Sequence, residues 1–230
     1  MIITIDGPSS SGKSSVAKEI SKIFDIVHID SGAIYRAITF LAINFKCIEN
    51  ENNVNYKLLT DVIHSKKITF EKNNNSYSIA IDGVVVESKI RNSKISKLVS
   101  IIAAEKSIRD YVLIIQHQIA SQNSIVMDGR DIGSVVFPKA DFKFFLTADI
   151  DIRSQRRKNE LEKIGEDLSI DEIKASLQKR DLIDSSRDLS PLKRSEDSIE
   201  IDSSDLTIDE QIEKIIKIIK KNKEGTSKHV

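Results

Sequence analysis

The stretch Gly7-Pro8-Ser9-Ser10-Ser11-Gly12-Lys13-Ser14-Ser15 concentrates more potential chemistry than any other part of the chain. Glycine, four residues, glycine, lysine and a hydroxyl residue form the pattern of a phosphate-binding loop. Gly7 and Gly12 let the backbone turn so that several N–H groups converge on one anion. A helix starting near Gly12 adds the positive end of its dipole. Lys13 can then reach the β- and γ-phosphates of a nucleotide. A hydroxyl of Ser14 or Ser15 can meet Mg²⁺ or a phosphate oxygen. The competing reading is a serine- and glycine-rich turn with a chance lysine. It fails on context: the apolar run Ile2-Ile3-Thr4-Ile5 precedes the loop, and a helical pattern through Val16, Ala17, Ile20, Ile23 and Phe24 follows it.

A second group of residues belongs with the first. Ser124-Ile125-Val126-Met127-Asp128-Gly129-Arg130-Asp131 reads as a buried strand ending in charges. An apolar strand ending in Asp128 brings a carboxylate to the metal beside such a loop. Asp6 and Asp30 also end apolar runs. In an open parallel sheet, ligands bind at the carboxyl ends of strands. Each aspartate alone could be a helix cap, but the three together favour a site. Arg36 falls in the first turns of a helix, opposite its apolar stripe, where it could face a second anion. Arg153, Arg156 and Arg157 share one side of a charged helix, an arrangement suited to a mobile lid closing over phosphates. His28, inside an apolar strand, reads as structural, and Cys47 as a small apolar filler.

The elements that must position these residues follow from periodicity. Ile26–Ile29 is a second strand, and Ile34, Ala37, Ile38, Leu41 and Ala42 form the apolar face of the helix after Asp30-Ser31-Gly32. Residues 48–66 are polar, with a helix around Tyr56–Ile63. Lys67–Glu71, Tyr77–Ile81 and Val84–Glu87 read as three short antiparallel strands, with turns at Asn73-Asn74-Asn75 and Asp82-Gly83. This rhythm differs from the strand–helix alternation on either side, so it marks an inserted subdomain. Asn92–Ser121 is helical with a break near Glu105–Ser107. Asp141–Thr147 is a strand, Asp149–Lys163 and Ser169–Ser186 are helices, Ile199–Asp202 is the last strand, and Thr207–Lys221 is the closing amphipathic helix. A polar, disordered tail is expected from 223 to 230.

Bulk properties narrow the class. The 230 residues suit one α/β domain with an insertion. The 35 basic and 35 acidic residues cancel, which argues against wholesale binding to nucleic acid or a membrane surface. No apolar run approaches the ~18 residues of a membrane span. A strand starts at residue 2, so no leader peptide is expected, and a single cysteine suits a reducing cytoplasm.

With these residues in place, the chain resembles the bacterial cytidylate kinases (CMP kinases). The matching stretches are Ile3–Ser14, Asp30-Ser31-Gly32-Ala33-Ile34-Tyr35-Arg36 and Asp128–Pro138. Lys179-Arg180-Asp181, Pro191-Leu192 and Ile201-Asp202-Ser203-Ser204 continue the match in the family's order. The loop alone is generic; the Asp30–Arg36 and Asp128–Pro138 stretches are specific.

The resemblance implies an α/β fold, a P-loop kinase core with a parallel sheet flanked by helices, an inserted small antiparallel monophosphate-binding subdomain and a short helical lid. The implied boundaries are a core at 1–47, 104–148 and 186–222, an insert at about 48–103 and a lid with its following helix at about 149–185. The implied reaction transfers the ATP γ-phosphoryl group to CMP or dCMP with Mg²⁺. By resemblance, the loop from Gly7 to Ser15 binds ATP, and Ser14 and Asp128 serve the metal, partly through water. Ser31 and Arg36 contact the acceptor nucleotide. Arg130 and Arg187 hold phosphate, and Arg157 is a lid residue. Asp131, Ser100 and Arg109 read the cytosine, and Arg180 and Asp184 the sugar. Lys13, Arg130, Arg157 and Arg187 form the catalytic set.

Base chemistry agrees with this implication. Cytosine presents an amino group, which suits an acceptor such as Asp131, and N3 and O2, which suit a donor such as Arg109. Uracil would leave both groups mismatched, at a cost of about 1–3 kcal/mol each. The loop departs from relatives at Ser10, where glycine is frequent, and at Ser14-Ser15, where many nucleotide kinases have glycine-threonine. Kinases of AMP, UMP or shikimate are disfavoured by the antiparallel insert and the Asp128–Asp131 cluster. A GTPase is disfavoured because no Asn-Lys-x-Asp motif occurs. A non-catalytic nucleotide sensor is disfavoured by the intact Lys13, Asp128 and arginines. A monomer is expected, since the apolar face of the last helix is needed by the core.

Overall fold

The structure is a computed structural model that describes residues 1–51, 53–73 and 76–226. Side chains are described for these except at 72, 73, 76 and 222–226. The chain begins as strand and helix in alternation: β1 (Ile2–Asp6), α1 (Lys13–Phe24), β2 (Val27–Asp30) and α2 (Ser31–Asn44). A small hairpin, β3 (Ile48–Asn50) and β4 (Asn53–Val54), leads into α3 (Tyr56–His64). An antiparallel meander follows: β5 (Ile68–Asn73), β6 (Ser76–Ile81) and β7 (Val84–Val85). Helices α4 (Ser93–Ile102) and α5 (Lys106–Gln122) return the chain to β8 (Ile125–Gly129) and β9 (Phe142–Thr147). The pair α6 (Ile150–Glu162) and α7 (Ile170–Ser186) precedes β10 (Ile199–Asp202) and α8 (Ile208–Thr226). Among the described residues, no helix is long and apolar enough to cross a membrane.

The main sheet is parallel throughout, in the order β10-β9-β1-β8-β2. Its strands read as near-continuous apolar runs because both faces are covered. Ile3, Ile5, Val126, Phe144, Leu146 and Ile201 pack against Val16, Ala17 and Ile20 of α1 and Ile212, Ile215 and Ile219 of α8. On the other face, Ile29, Ile125 and Met127 meet Ile132, Val136 and α5. The register sets Asp6 beside Gly129 and Asp30 beside Asp128, so the carboxyl ends of three adjacent strands are level. Everything charged that follows is built on that edge.

The segment between α2 and α5 shares its apolar core with those two helices. Leu59, Ile63, Ile79, Ile90, Ile95 and Val99 pack in one cluster with Ile38, Leu41, Ile108 and Val112. A three-stranded meander is marginal alone. Each of these fully buried side chains contributes roughly 1.5–3 kcal/mol, so the shared cluster holds the meander in place. Caps then fix where helices start. The Asp30 carboxylate accepts from Ala33 N at 3.1 Å, Asn92 Oδ1 accepts from Ile95 N at 2.9 Å, and Ser169 and Glu172 form a reciprocal capping box.

Several expectations shift. The third meander strand stops at Val85, because Glu87–Ile90 turns into a 3₁₀ helix. The Glu87 carboxylate there pairs with Arg91 one turn on. The β3–β4 hairpin, in a segment read only as polar, was not anticipated. The closing helix runs on to Thr226, which corrects the tail expected from 223; residues 227–230 lie outside the described residues. Asn74 and Asn75 of the expected turn do as well, although the flanking pair Asn73 and Ser76 is in register. The helical break falls at 103–105, where the Glu105 side chain caps α5 through Ser107 N.

Candidate active site

A cavity of about 500 Å³ opens along the level strand ends. Of the phosphate-loop stretch, Ser9, Ser10, Gly12, Lys13, Ser14 and Ser15 line it, whereas Gly7, Pro8 and Ser11 lie behind. Gly7 has φ 146°, and a Cβ there would sit 2.0 Å from Leu146 O on β9, so only glycine lets the loop pass the sheet. Ser10, at a position where relatives frequently carry glycine, does take a left-handed φ of 60°. Lys13 Nζ donates to Pro8 O at 2.5 Å and to Ser11 Oγ at 3.3 Å. Burial lowers the Lys13 ammonium to about 7, and the nearby Arg130 adds to that effect.

The three strand-end aspartates have separate tasks. Asp6 accepts from Ile132 N at 2.8 Å and Gly133 N at 2.7 Å, fixing the turn after β8, and burial raises it to about 6. Asp30 caps α2 and pairs with Arg91 at 2.7 Å. Burial opposes its ionisation, but Arg91 outweighs burial and the carboxyl falls to about 2. Asp128 holds Ser14 on one oxygen at 2.5 Å and His28 on the other at 2.8 Å. Its backbone carbonyl accepts from Ser31 Oγ at 2.7 Å. Ser14 therefore stands beside the carboxylate, while Ser15 has no such contact. His28, read as structural, does not line the cavity but bonds a carboxylate that does. Burial disfavours its charged form, but the bond to Asp128 prevails and raises it.

The arginines come from distant segments. Arg109 of α5 pairs with Asp131 and donates to Ala103 O at 3.1 Å. Its guanidinium lies 5.6 Å from the Tyr35 ring. Arg187 lies 3.6 Å from Asp131 and 3.8 Å from Asp184. Arg130 donates to Asp184 Oδ2 at 2.9 Å and to Ser9 Oγ at 2.7 Å, tying α7 to the loop. Ser100, 2% exposed, bonds the Asp184 carboxylate and helps hold it ionised against burial. Arg180 is buried with Nε unpartnered, and burial, aided by Arg130, brings it down to about 10. Arg36 donates to Ile90 O at 3.3 Å and Ser96 Oγ at 2.9 Å. Arg157 donates to the same Ser96 Oγ at 3.0 Å and to Arg91 O at 3.1 Å. Burial and the neighbouring Arg180, Arg91 and Arg157 push Arg36 well below its ordinary value.

The shared arginine face expected on α6 is not what the structure shows. Arg153 is spent on Ser9 O, Ala148 O and Asp181, and Arg156 on Ser203, leaving Arg157 to line the cavity. Arg91, Lys163 and Glu160, which line the cavity, were missed, as were Ser96 and His28, which bond residues that line it. Ser96 had a signal, one turn before Ser100 on the same helix; Arg91 had none.

The wall carries nine cations (Lys13, Arg36, Arg91, Arg109, Arg130, Arg157, Lys163, Arg180, Arg187) against five anions (Asp30, Asp128, Asp131, Glu160, Asp184). In a chain of zero net charge, that excess is local, and it suits a ligand with several negative charges.

A family model for cytidylate kinase matches residues 3–221. The chain belongs to the cytidylate kinase family. A cytidylate kinase of Bacillus cereus (strain ATCC 10987 / NRS 248) is 38% identical over 218 residues, covering 94% of this chain and 95% of the relative. A cytidylate kinase of Bacillus thuringiensis (strain Al Hakam) matches with the same identity and coverage. Membership of the family makes the chain an ATP-dependent nucleoside monophosphate kinase, with small nucleotides as its substrates.

Proposed function

We propose that this cavity transfers the γ-phosphoryl group of ATP to CMP or dCMP. The observation that carries the reading is the presence, on one wall, of both halves of the chemistry. The Lys13 loop and the Arg109–Asp131 pair line the same cavity as Arg36 and Arg187, and Arg130 joins the two groups through Ser9 and Asp184. In this reading Ser9–Ser15 cradle the ATP phosphates, with Lys13 on the β- and γ-phosphates. Asp131 accepts from the cytosine amino group, and Arg109 and Ser100 serve its other polar edge. Arg36, Arg130 and Arg187 hold the acceptor phosphate, and Arg180 and Asp184 the sugar. Residues 48–103 form the acceptor-binding insert and 149–185 the lid, with Arg157 reaching in from α6.

The donor set fits Mg²⁺. Ser14 and Asp128 offer adjacent hard oxygens, and Mg²⁺ takes one or two protein oxygens with phosphates and waters. When bound, the ion, held by Ser14 and Asp128, would supply neutralisation of phosphate charge. The rest is positioning: the backbone loop fixes the donor, the arginines fix the acceptor phosphate in line, and closure of the lid would limit water. No general base is needed. The proposal includes a monomeric, cytoplasmic enzyme, with the mass in solution checked by light scattering.

A coupled assay of ADP release with ATP, Mg²⁺ and, in turn, CMP, dCMP, UMP and AMP tests the reading. Strong turnover with CMP and dCMP alone is expected. A preference for UMP or AMP would discard the Asp131–Arg109 base pocket.

A further inference from the structure

We propose that His28 is a positioning residue for phosphoryl transfer. Its Nε2–H holds one oxygen of Asp128, so that the other oxygen and the Ser14 hydroxyl are presented together to the Mg²⁺ that accompanies the nucleotide. The inference rests on the kinase reading above and deepens it.

Strand pairing brings the two residues together. His28 pairs in register with Val126, and Asp30 with Asp128. Side chains alternate along a strand, so positions 28, 30, 126 and 128 share one face, and His28 is a diagonal neighbour of Asp128 across the β2–β8 pair. That face carries α1, whose first turn holds Ser14. Asp128 is thus reached from two sides: His28 Nε2 at 2.8 Å on Oδ1 and Ser14 Oγ at 2.5 Å on Oδ2. A carboxylate accepts only, so Nε2 is the donor.

A terminal carboxylate torsion is broad and two-fold. With one donor the group can swing and exchange its oxygens. With a donor on each oxygen, its plane is fixed. His28 and Asp128 side chains are 19% and 4% exposed, so water competes weakly for either bond. A residue needed only to fill the strand would be apolar, as its neighbours Val27 and Ile29 are. A half-buried imidazole is costly without a polar partner, and the partner here is the carboxylate nearest the phosphate loop. Loss of such an outer partner typically costs 10–100-fold in metal affinity.

The test compares ATP binding in saturating Mg²⁺ and in EDTA, by calorimetry, for the full chain and for His28→Phe, which keeps a ring and removes the donor. The expected result is unchanged affinity in EDTA and a Mg²⁺-dependent gain reduced about 10–100-fold. His28→Gln, whose amide nitrogen can reach the same oxygen, should recover most of the gain. The proposal is overturned if His28→Phe keeps the full gain, if it loses affinity equally in EDTA, or if Gln is as impaired as Phe. If His28→Phe does not fold by circular dichroism, His28→Leu supplies the donor-free comparison, with the same outcomes. Turnover of CMP by the unaltered chain decides the kinase reading separately, because Mg²⁺–ATP binding is measured without an acceptor.

Discussion

The loop side and the arginine side of the cavity handle charge in opposite ways. On the loop side, Lys13 is held by a carbonyl and a hydroxyl within five residues of itself. Both partners are neutral, and the ammonium is left near its threshold of ionisation. On the arginine side, a chain of ion pairs runs Arg109–Asp131–Arg187–Asp184–Arg130 and ends on Ser9. Its members come from α5, the turn after β8, α7 and the residue that caps α7. There three arginines share two buried carboxylates, while Arg36 donates only to a carbonyl and a hydroxyl. Lys13 therefore has no direct carboxylate partner, which suits the phosphate proposed for it. The arginine side holds its cations in ion pairs with buried carboxylates, so a ligand there must replace contacts that already exist. In the proposed reading, attraction is built locally and discrimination from distant parts.

The largest effect expected from breaking this contrast is on the loop side. Lys13→Met should lower kcat/KM by about 10²–10³-fold, the usual cost of one charge-stabilising donor. Its melting temperature should be unchanged or higher, because no carboxylate loses its partner. A clear drop in melting temperature would show that Lys13 is a structural cation after all. On the arginine side, Asp131→Asn should lower kcat/KM for CMP by about 5–150-fold, the equivalent of 1–3 kcal/mol for a mismatched buried polar group. ATP affinity, measured separately, should hold. Parallel losses of both would mean that the two sides act as one unit.

The smallest effect concerns Arg91, which joins Asp30 of the sheet edge to Glu87 of the meander segment. Asp30 falls from 3.8 to about 2 in the folded chain. A depressed carboxyl contributes stability above its unfolded value, and that stability is lost as pH falls through about 4 to about 2. Arg91→Met should therefore cost about 1–2 kcal/mol at pH 7, less than a fully buried pair because the Arg91 side chain is 36% exposed. In urea unfolding the gap from the unaltered chain should narrow below pH 4. A gap that stays constant from pH 7 to pH 3 would remove Asp30 from the account.

Much of the fold was legible because its signals are local. Gly7 and Gly12 mark backbone conformations a side chain resists, and both do adopt positive φ. Ile2–Asp6 and Ile125–Gly129 are apolar because both faces of their sheet are covered, and Asp128 terminates its strand as read. The helical break before α5 was visible as a loss of periodicity. The candidate site was legible as a set of residues but not as a set of contacts. Arg153, Arg156 and Arg157 share spacing, yet their guanidiniums go to three different places, since a long side chain reaches whatever acceptor packing brings near.

Sequence by itself determined the strand–loop–helix of the phosphate-loop pattern, the parallel core and the antiparallel meander, because backbone turns and apolar periodicity are recorded residue by residue. Tertiary structure alone decided that Ser14 rather than Ser15 meets Asp128, that Ser96 gathers Arg36 and Arg157, and that His28 faces a carboxylate. Each of those depends on strand register or on helices meeting across many tens of residues. No local pattern encodes which buried donor will find which acceptor.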